Sequence, residues 1–290
     1  MLVDLVQTTT RDGVRLDGAY QAAPQPAGGP FDAVVLVHGT GGNFYGSTLF
    51  DALAGAFLAR GVGVLRANTR GHDLMCNTAT SRGGRRLGAA YEVVDECRHD
   101  LAAWAAWLRG AGAGRVGLVG HSLGAVKSLY AQACEPVEAV AGVVAVSPPR
   151  LSHAWFRQGD RAAEFLHSYH QAEQLVRAGE PEALIEARIP LPFVITAAGY
   201  LEKYGPDERY NYLRFLGRVG CPTLLTLGEV EAANNLAFQD AAAEAARAAP
   251  AVRVEVVPGA DHFYTGVREE LVRRVAAWLD ALRDFGKPGA

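Results

Sequence analysis

The chain has 290 residues, 49% of them apolar and 20% charged, a balance that supports a large hydrophobic core and argues against intrinsic disorder. Its 28 Lys and Arg against 31 Asp and Glu leave a net charge of −3 with histidine neutral, so no basic excess points to a nucleic-acid partner. The first 30 residues lack a basic stretch followed by an apolar one, and no charge-free apolar run reaches the roughly 18 residues a bilayer span needs, so neither a signal peptide nor a membrane-spanning segment is expected.

Residues 2–10 and 14–20 read as two strands joined at Asp12-Gly13, a pair that favours a tight hairpin. A Pro/Gly-rich connector, 24–30, leads to the apolar run 33–37. Further short apolar runs follow at 62–67, 116–119, 139–146, 223–227 and 252–257. Because they are apolar throughout rather than alternating, they predict strands covered on both faces. Helical spacing lies between them: Leu49, Leu53 and Phe57; Leu101, Trp104, Ala105 and Leu108; and Leu271, Val275, Trp278, Leu279 and Leu282. Strands alternating with helices predict an α/β fold with a mostly parallel sheet, whose strand C-termini form one ligand-binding rim. The alternation breaks at 148–220, where Phe165, Tyr169, Ala172 and Val176 mark one helical face and Pro190, Pro192 and Pro206 interrupt the rest. That stretch reads as a helical cap inserted between two parts of one core, 1–147 and 221–290, with 286–290 frayed. Cys76, Cys97, Cys134 and Cys221 form no C-x-x-C pair, which fits reduced thiols and a cytoplasmic setting while leaving a Cys76–Cys221 pair open.

The informative sequences sit at the ends of the apolar runs. Gly120-His121-Ser122-Leu123-Gly124 follows one run and precedes a helical stretch, the context in which G-x-S-x-G presents a nucleophile on a sharp turn. Glycines two residues either side remove side chains that would collide there. Ser122 is the expected nucleophile, and the Leu123 N–H, at a helix N-terminus, an expected oxyanion donor. His262, in the loop after the last run, is the expected general base. His99 borders a helix face instead, and His167 and His170 lack the companions of a metal site. The third member should follow run 223–227, where Glu231 is favoured and Glu229 is the alternative; Asp261 reads as a loop-holding residue. Glycine-rich His38-Gly39-Thr40-Gly41-Gly42 lets backbone approach a ligand, with Thr40 N–H the first choice for a second oxyanion donor and Gly41 N–H the alternative. No phosphate-binding or dinucleotide fingerprint is present.

Phe44 and Tyr45 beside this loop, His121 beside the serine, and Trp155 and Phe156 in the inserted stretch are candidate pocket residues. Phe165, Phe193, Tyr200, Tyr204 and Tyr212 are further aromatic candidates whose simpler role is to pack the insertion against the sheet. Arg82, Arg85 and Arg86 read as a solvated loop in preference to a site for an acidic substrate.

Together these residues resemble the α/β-hydrolase superfamily over nearly the whole chain. Residues 38–42 look like its oxyanion loop, 120–124 like its nucleophile elbow, 228–231 like its acid turn, and His262 like its late catalytic histidine. Glutamate replaces the commoner aspartate at 231, and Asp73 replaces the last glycine of an R-G-H-G stretch at Arg70-Gly71-His72. The resemblance implies an eight-stranded, mostly parallel sheet flanked by helices, with an inserted helical cap, in a capped serine carboxylesterase or aminopeptidase-like branch. The expected activity is cleavage of an ester or related acyl bond of a small, partly apolar substrate through an acyl-enzyme, with no metal or organic cofactor, by a monomer or homodimer. Lyase, acyltransferase or carbon–carbon bond hydrolase chemistry on the same scaffold, or a non-catalytic ligand-binding role, stay open as alternatives.

Overall fold

The structure, a computed structural model, describes residues 3–25, 28–81 and 83–285. The expectations for Leu2, Arg82, part of the 24–30 connector and the tail 286–290 lie outside the described residues. The first two strands, β1 (Asp4–Thr9) and β2 (Arg15–Gln21), pair antiparallel. Their turn is closed by Gly13 N–H on Thr10 O and Thr10 N–H on Val14 O, both 2.9 Å, with Gly13 at φ 85°, a left-handed conformation that glycine enters without a Cβ penalty.

The chain then alternates. Strand β3 (Ala33–Val37) leads to helix α1 (Thr48–Leu58), β4 (Gly63–Ala67), an exposed antiparallel pair β5 (Cys76–Thr80) and β6 (Gly83–Leu87), and α2 (Cys97–Gly110). Next come β7 (Val116–His121), α3 (Leu123–Cys134) and β8 (Val140–Val146). An insertion follows, with α4 (His153–Phe156), α5 (Ala162–Arg177), β9 (Leu184–Ala187), β10 (Phe193–Thr196) and α6 (Ala197–Tyr204). The chain closes with β11 (Thr223–Gly228), α7 (Glu229–Asn234), α8 (Ala241–Ala248), β12 (Arg253–Val257) and α9 (Arg268–Phe285).

Eight strands form one sheet in the order β1-β2-β4-β3-β7-β8-β11-β12. Only the pairings that involve β2 are antiparallel. Every residue of the central strands β3 and β7 is buried, whereas β1, at the edge, is mostly exposed; this is why the central runs carry no polar alternation. One hydrophobic cluster joins α1 and α9 to one face of the sheet, and a second joins α2, α3 and the insertion to the other. In α2 the buried positions include Leu101, Trp104, Ala105 and Leu108, the stripe its spacing predicts. The insertion adds a two-stranded β9–β10 pair that the proline-broken pattern concealed, because Pro190 and Pro192 fall in the turn between them. All four cysteines are free, so Cys76 and Cys221 are not bridged.

Candidate active site

β7 runs into α3 through Ser122, which is held at φ 56° and ψ −125°. That conformation is sparsely populated for a residue with a side chain and persists only where the surroundings enforce it. The enforcement is visible at both flanks. A Cβ on Gly120 would lie 2.3 Å from Gly124 O, and one on Gly124 would lie 2.0 Å from Val37 O. The Ser122 N–H is tied to Val146 O at 2.9 Å. Strand pairing and glycine contacts therefore fix the backbone from which the hydroxyl projects.

The loop after β3 packs directly on this turn, since a Cβ on Gly39 would lie 2.9 Å from Ser122 Cβ. Residues 39–42 make a reverse turn closed by Gly42 N–H on Gly39 O at 3.1 Å, with Gly41 at φ 65°. The N–H groups of Thr40 and Gly41 take no part in that closing bond. His38 anchors the loop from below. Its Nδ1 donates to Gly39 O at 2.8 Å and its Nε2 accepts the Thr69 N–H at 3.0 Å, a pairing that requires the neutral ring. Burial, reinforced by Lys127, pushes its pKa down to about 3. Lys127 donates to Thr69 Oγ1 at 3.1 Å and pairs with Glu92, both fully buried. Glu92 in turn lies so close under Gly71 that a Cβ there would meet its Oε1 at 2.1 Å.

His262 Nδ1 lies 2.7 Å from Glu231 Oε2, so the ring donates to the carboxylate and keeps Nε2 for the cavity. Glu231 is buried; its Oε1 accepts the Gly228 N–H at 2.6 Å and the Ser147 hydroxyl. Ser147 also meets the Tyr264 hydroxyl at 3.0 Å, which itself touches Thr226 Oγ1 at 3.0 Å. Gly228 allows the acid turn and the histidine loop to touch, for a Cβ there would lie 2.4 Å from Ala260 O. Glu229 and Glu231 both lie in α7, where positions two apart point to nearly opposite sides. Glu229 instead accepts the Gly259 N–H at 2.9 Å and does not touch the ring. Asp261 Oδ1 accepts the N–H groups of Phe263 and Thr265 at 2.9 and 2.8 Å and so holds the loop. His121 Nε2 donates to the His262 carbonyl at 2.8 Å, and the two rings are 4.7 Å apart. Burial and the neighbouring His262 push the His121 pKa down to about 3, which keeps a second positive charge away from His262.

A cavity of about 730 Å³ opens on Ser122, Leu123, Thr40, Gly41, His121 and His262. Its apolar walls include Phe50, Leu151, Pro190, Leu191, Tyr204 and Phe238. No hydrogen bond joins the Ser122 hydroxyl to the His262 ring among the described residues; bonds of this kind often tighten only when substrate is bound.

Of the aromatic pocket candidates, His121 lines the cavity; Phe44, Tyr45, Trp155 and Phe156 do not. Tyr45 is 67% exposed and packs edge-on to Phe44, because the loop turns outward once its Asn43 side chain accepts the Tyr45 and Gly46 N–H groups. Trp155 is held elsewhere by its Nε1–H on Leu236 O at 2.8 Å and by the Arg150 guanidinium 4.1 Å from its ring. Phe156 is fully buried behind the wall, packed on Phe165 and Tyr204. Sequence reasoning overlooked Ser147, Tyr264, Lys203 and Leu191. Ser147 carried a faint signal, a polar residue between an apolar strand and Pro148-Pro149; the others are placed by contacts distant in sequence and leave none.

Residues 34–275 match the model of an alpha/beta hydrolase family. No curated protein gives a significant match. Among solved structures, the alpha/beta hydrolase GrgF from Penicillium sp. sh18 superposes with a TM-score of 0.70 at 16% identity, covering 98% of this chain and 100% of that one. A monoacylglycerol lipase from Paleococcus ferrophilus gives 0.64 at 22% identity over 92% and 98% of the two chains. Est1E from Butyrivibrio proteoclasticus, solved with ferulic acid, gives 0.63 at 15% identity over 95% and 100%. At these identities the likeness shows the fold. None of these three bears a peptidase's name, and the aminopeptidase-like alternative finds no support among them.

Proposed function

The chain belongs to the α/β-hydrolase family, and from that premise we propose that it is a serine hydrolase acting on an ester or related acyl bond of a small, partly apolar substrate. The observation that carries this reading is the meeting, on one cavity, of a serine held in a strained strand-to-helix turn and a histidine held by a buried carboxylate. His262 takes the Ser122 proton as the oxygen attacks the acyl carbon. Glu231 fixes the tautomer and stabilises the ring once it is positive. Charge on the former carbonyl oxygen is met by the N–H groups of Leu123 and Thr40, with Gly41 as the alternative to Thr40. One such donor contributes roughly 3–4 kcal/mol, or about 10²–10³ in rate. His262 then returns the proton to the leaving group, and a water activated by the same ring releases the acid from Ser122.

The size and walls of the cavity favour a small acyl group over a long chain or a polymer. The test is labelling by a fluorophosphonate together with turnover of short and long acyl esters, aryl esters, lactones, thioesters and aminoacyl amides. The expected result is a covalent adduct at Ser122, ester turnover in the wild type and neither in Ser122→Ala. An adduct on another residue, or esterase activity that survives this substitution, would overturn the reading.

A further inference from the structure

Lys203, in the last turn of α6, lines the same cavity as Ser122 and His262. The residue is 2% exposed and its ammonium makes no hydrogen bond among the described residues. Buried charges are normally paired, because an ammonium removed from water without an acceptor is costly. The neighbours do not supply one. Glu92 pairs with Lys127 through Oε1, and its charge favours the Lys203 ammonium without a hydrogen bond to it. Glu202 receives the Tyr210 hydroxyl and lines a separate hollow, so it too reaches Lys203 only through its charge. The Phe193 ring, 5.5 Å from Nζ, is a weak electrostatic partner. A helix C-terminus favours a cation, but a lysine lying on the surface would serve that purpose without being buried.

The rest of the lining points the same way. Among the described residues the cavity wall contains Arg268 as well as Lys203, and no Asp or Glu. With His38 and His121 held neutral, Glu92 and Glu202 act on Lys203 only through their charge, and its ammonium has no hydrogen-bond acceptor among the described residues.

We propose that Lys203 anchors a carboxylate carried by the substrate, so that the esters cleaved at Ser122 bear a free acid at a fixed distance from the scissile bond. This rests on the serine-hydrolase reading above. Burial pushes Lys203 down while Glu92 pulls it up, and an entering carboxylate would hold the ammonium in its charged form.

The test compares monoethyl glutarate, adipate and pimelate with the corresponding ethyl esters whose distal acid is a carboxamide, following proton release. The wild type is expected to favour the acid over the amide by about ten- to a hundredfold in kcat/KM at one best chain length, the range for a hydrogen bond to a charged group. In Lys203→Met that ratio should fall to near one. A ratio near one in the wild type, or a ratio unmoved by Lys203→Met while both rates drop together, would overturn the proposal. Met fills a similar volume, and circular dichroism verifies that the variant folds. Were the variant not to fold, adipate should still raise the wild-type melting temperature and adipamide should not; equal shifts would refute the anchor. The two readings fail separately. Labelling at Ser122 with no acid preference removes only the anchor. Without labelling the hydrolase reading falls, and calorimetric titration of monoethyl adipate into wild type and Lys203→Met then decides: Lys203-dependent binding supports the anchor, and its absence overturns it.

Discussion

The two sides of the cavity are built by different means. On the rim of the sheet, each site residue stands where backbone meets backbone: a Cβ on Gly39, Gly120, Gly124 or Gly228 would press within 3 Å of another group. Opposite the rim, the insertion contributes Pro190, Leu191, Lys203 and Tyr204, which are positioned by packing of the β9–β10 pair and α6. In the proposed reaction the rim supplies the groups that act on the acyl carbon, and the insertion those that would meet the rest of a substrate. On that proposal, rigid backbone geometry serves the reaction and replaceable side chains serve selection.

The largest effect should come from the rim. Ser122→Ala is expected to lower ester turnover by roughly 10⁴- to 10⁶-fold, and Glu231→Gln by about 10⁴-fold through a misplaced proton on His262. Steady-state rates on one short ester, with circular dichroism to verify folding, measure both. A loss under tenfold in Glu231→Gln would mean that the ring is oriented mainly by its neighbours His121, Phe238 and Phe263.

A second prediction sharpens the contrast between buried cations. Arg70, at the end of the β4 loop, is fully buried like Lys203, yet it is saturated: it bonds Asp100 at 2.8 and 2.9 Å, Asp12 at 2.8 Å and Glu96 at 2.6 Å. Such a residue serves architecture. Arg70→Met should cost about 3–5 kcal/mol in urea unfolding, because it strands the buried Asp100 without its partner. A cost below about 1 kcal/mol would break the distinction between a satisfied cation that holds the fold and an unsatisfied one that awaits a ligand.

The same contrast explains what could be read from sequence. The eight strands of the sheet, Ser122, His262, Glu231 and the glycine loop at 38–42 all leave local marks, because buried parallel strands must be apolar and tight turns must have glycine. The choice between the two glutamates was nearly legible, and the start of α7 right after Gly228 separates them, so that Glu231 meets His262 and Glu229 meets Gly259. The ion pair of Glu92 with Lys127 and the burial of Lys203 left no mark, since charged residues in loops and helices ordinarily face water. Phe44 and Tyr45 misled for the opposite reason: adjacency in sequence to the site said nothing about the outward turn set by Asn43.

The third prediction concerns the neutral histidines beneath the rim. His38 and His121 each carry a folded pKa near 3 against an ordinary 6.5. Between those values only the unfolded chain takes up their protons, so the stability they provide is complete above about pH 6.5 and is lost as pH falls toward 3. Each ring should add about 1.4 kcal/mol per pH unit to the slope of unfolding free energy. From about pH 6.5 to 5 most carboxylates are ionised in both states, so the slope there belongs largely to the histidines. His121→Asn should remove about half of it in urea titrations. An unchanged slope would mean that His121 is protonated in the fold, beside the ring that the proposed cycle makes positive.

The smallest effect tests where the site ends. Tyr45 adjoins the glycine loop in sequence but is largely exposed and its ring touches Phe44 rather than the cavity. Tyr45→Ala removes little buried area, so stability should move by less than about 0.5 kcal/mol and kcat/KM on a short ester should stay within about twofold. Leu191, 38% exposed and likewise apolar, lines the cavity from the insertion; Leu191→Ala should raise KM more than Tyr45→Ala does, by an amount that grows with acyl length, because a contact to substrate is worth about 25 cal/mol per Å² of apolar surface covered. The comparison turns on this pair. A tenfold loss in Tyr45→Ala would mean that the 43–46 turn swings inward over bound substrate, and the rim would then share with the insertion the work of selecting it.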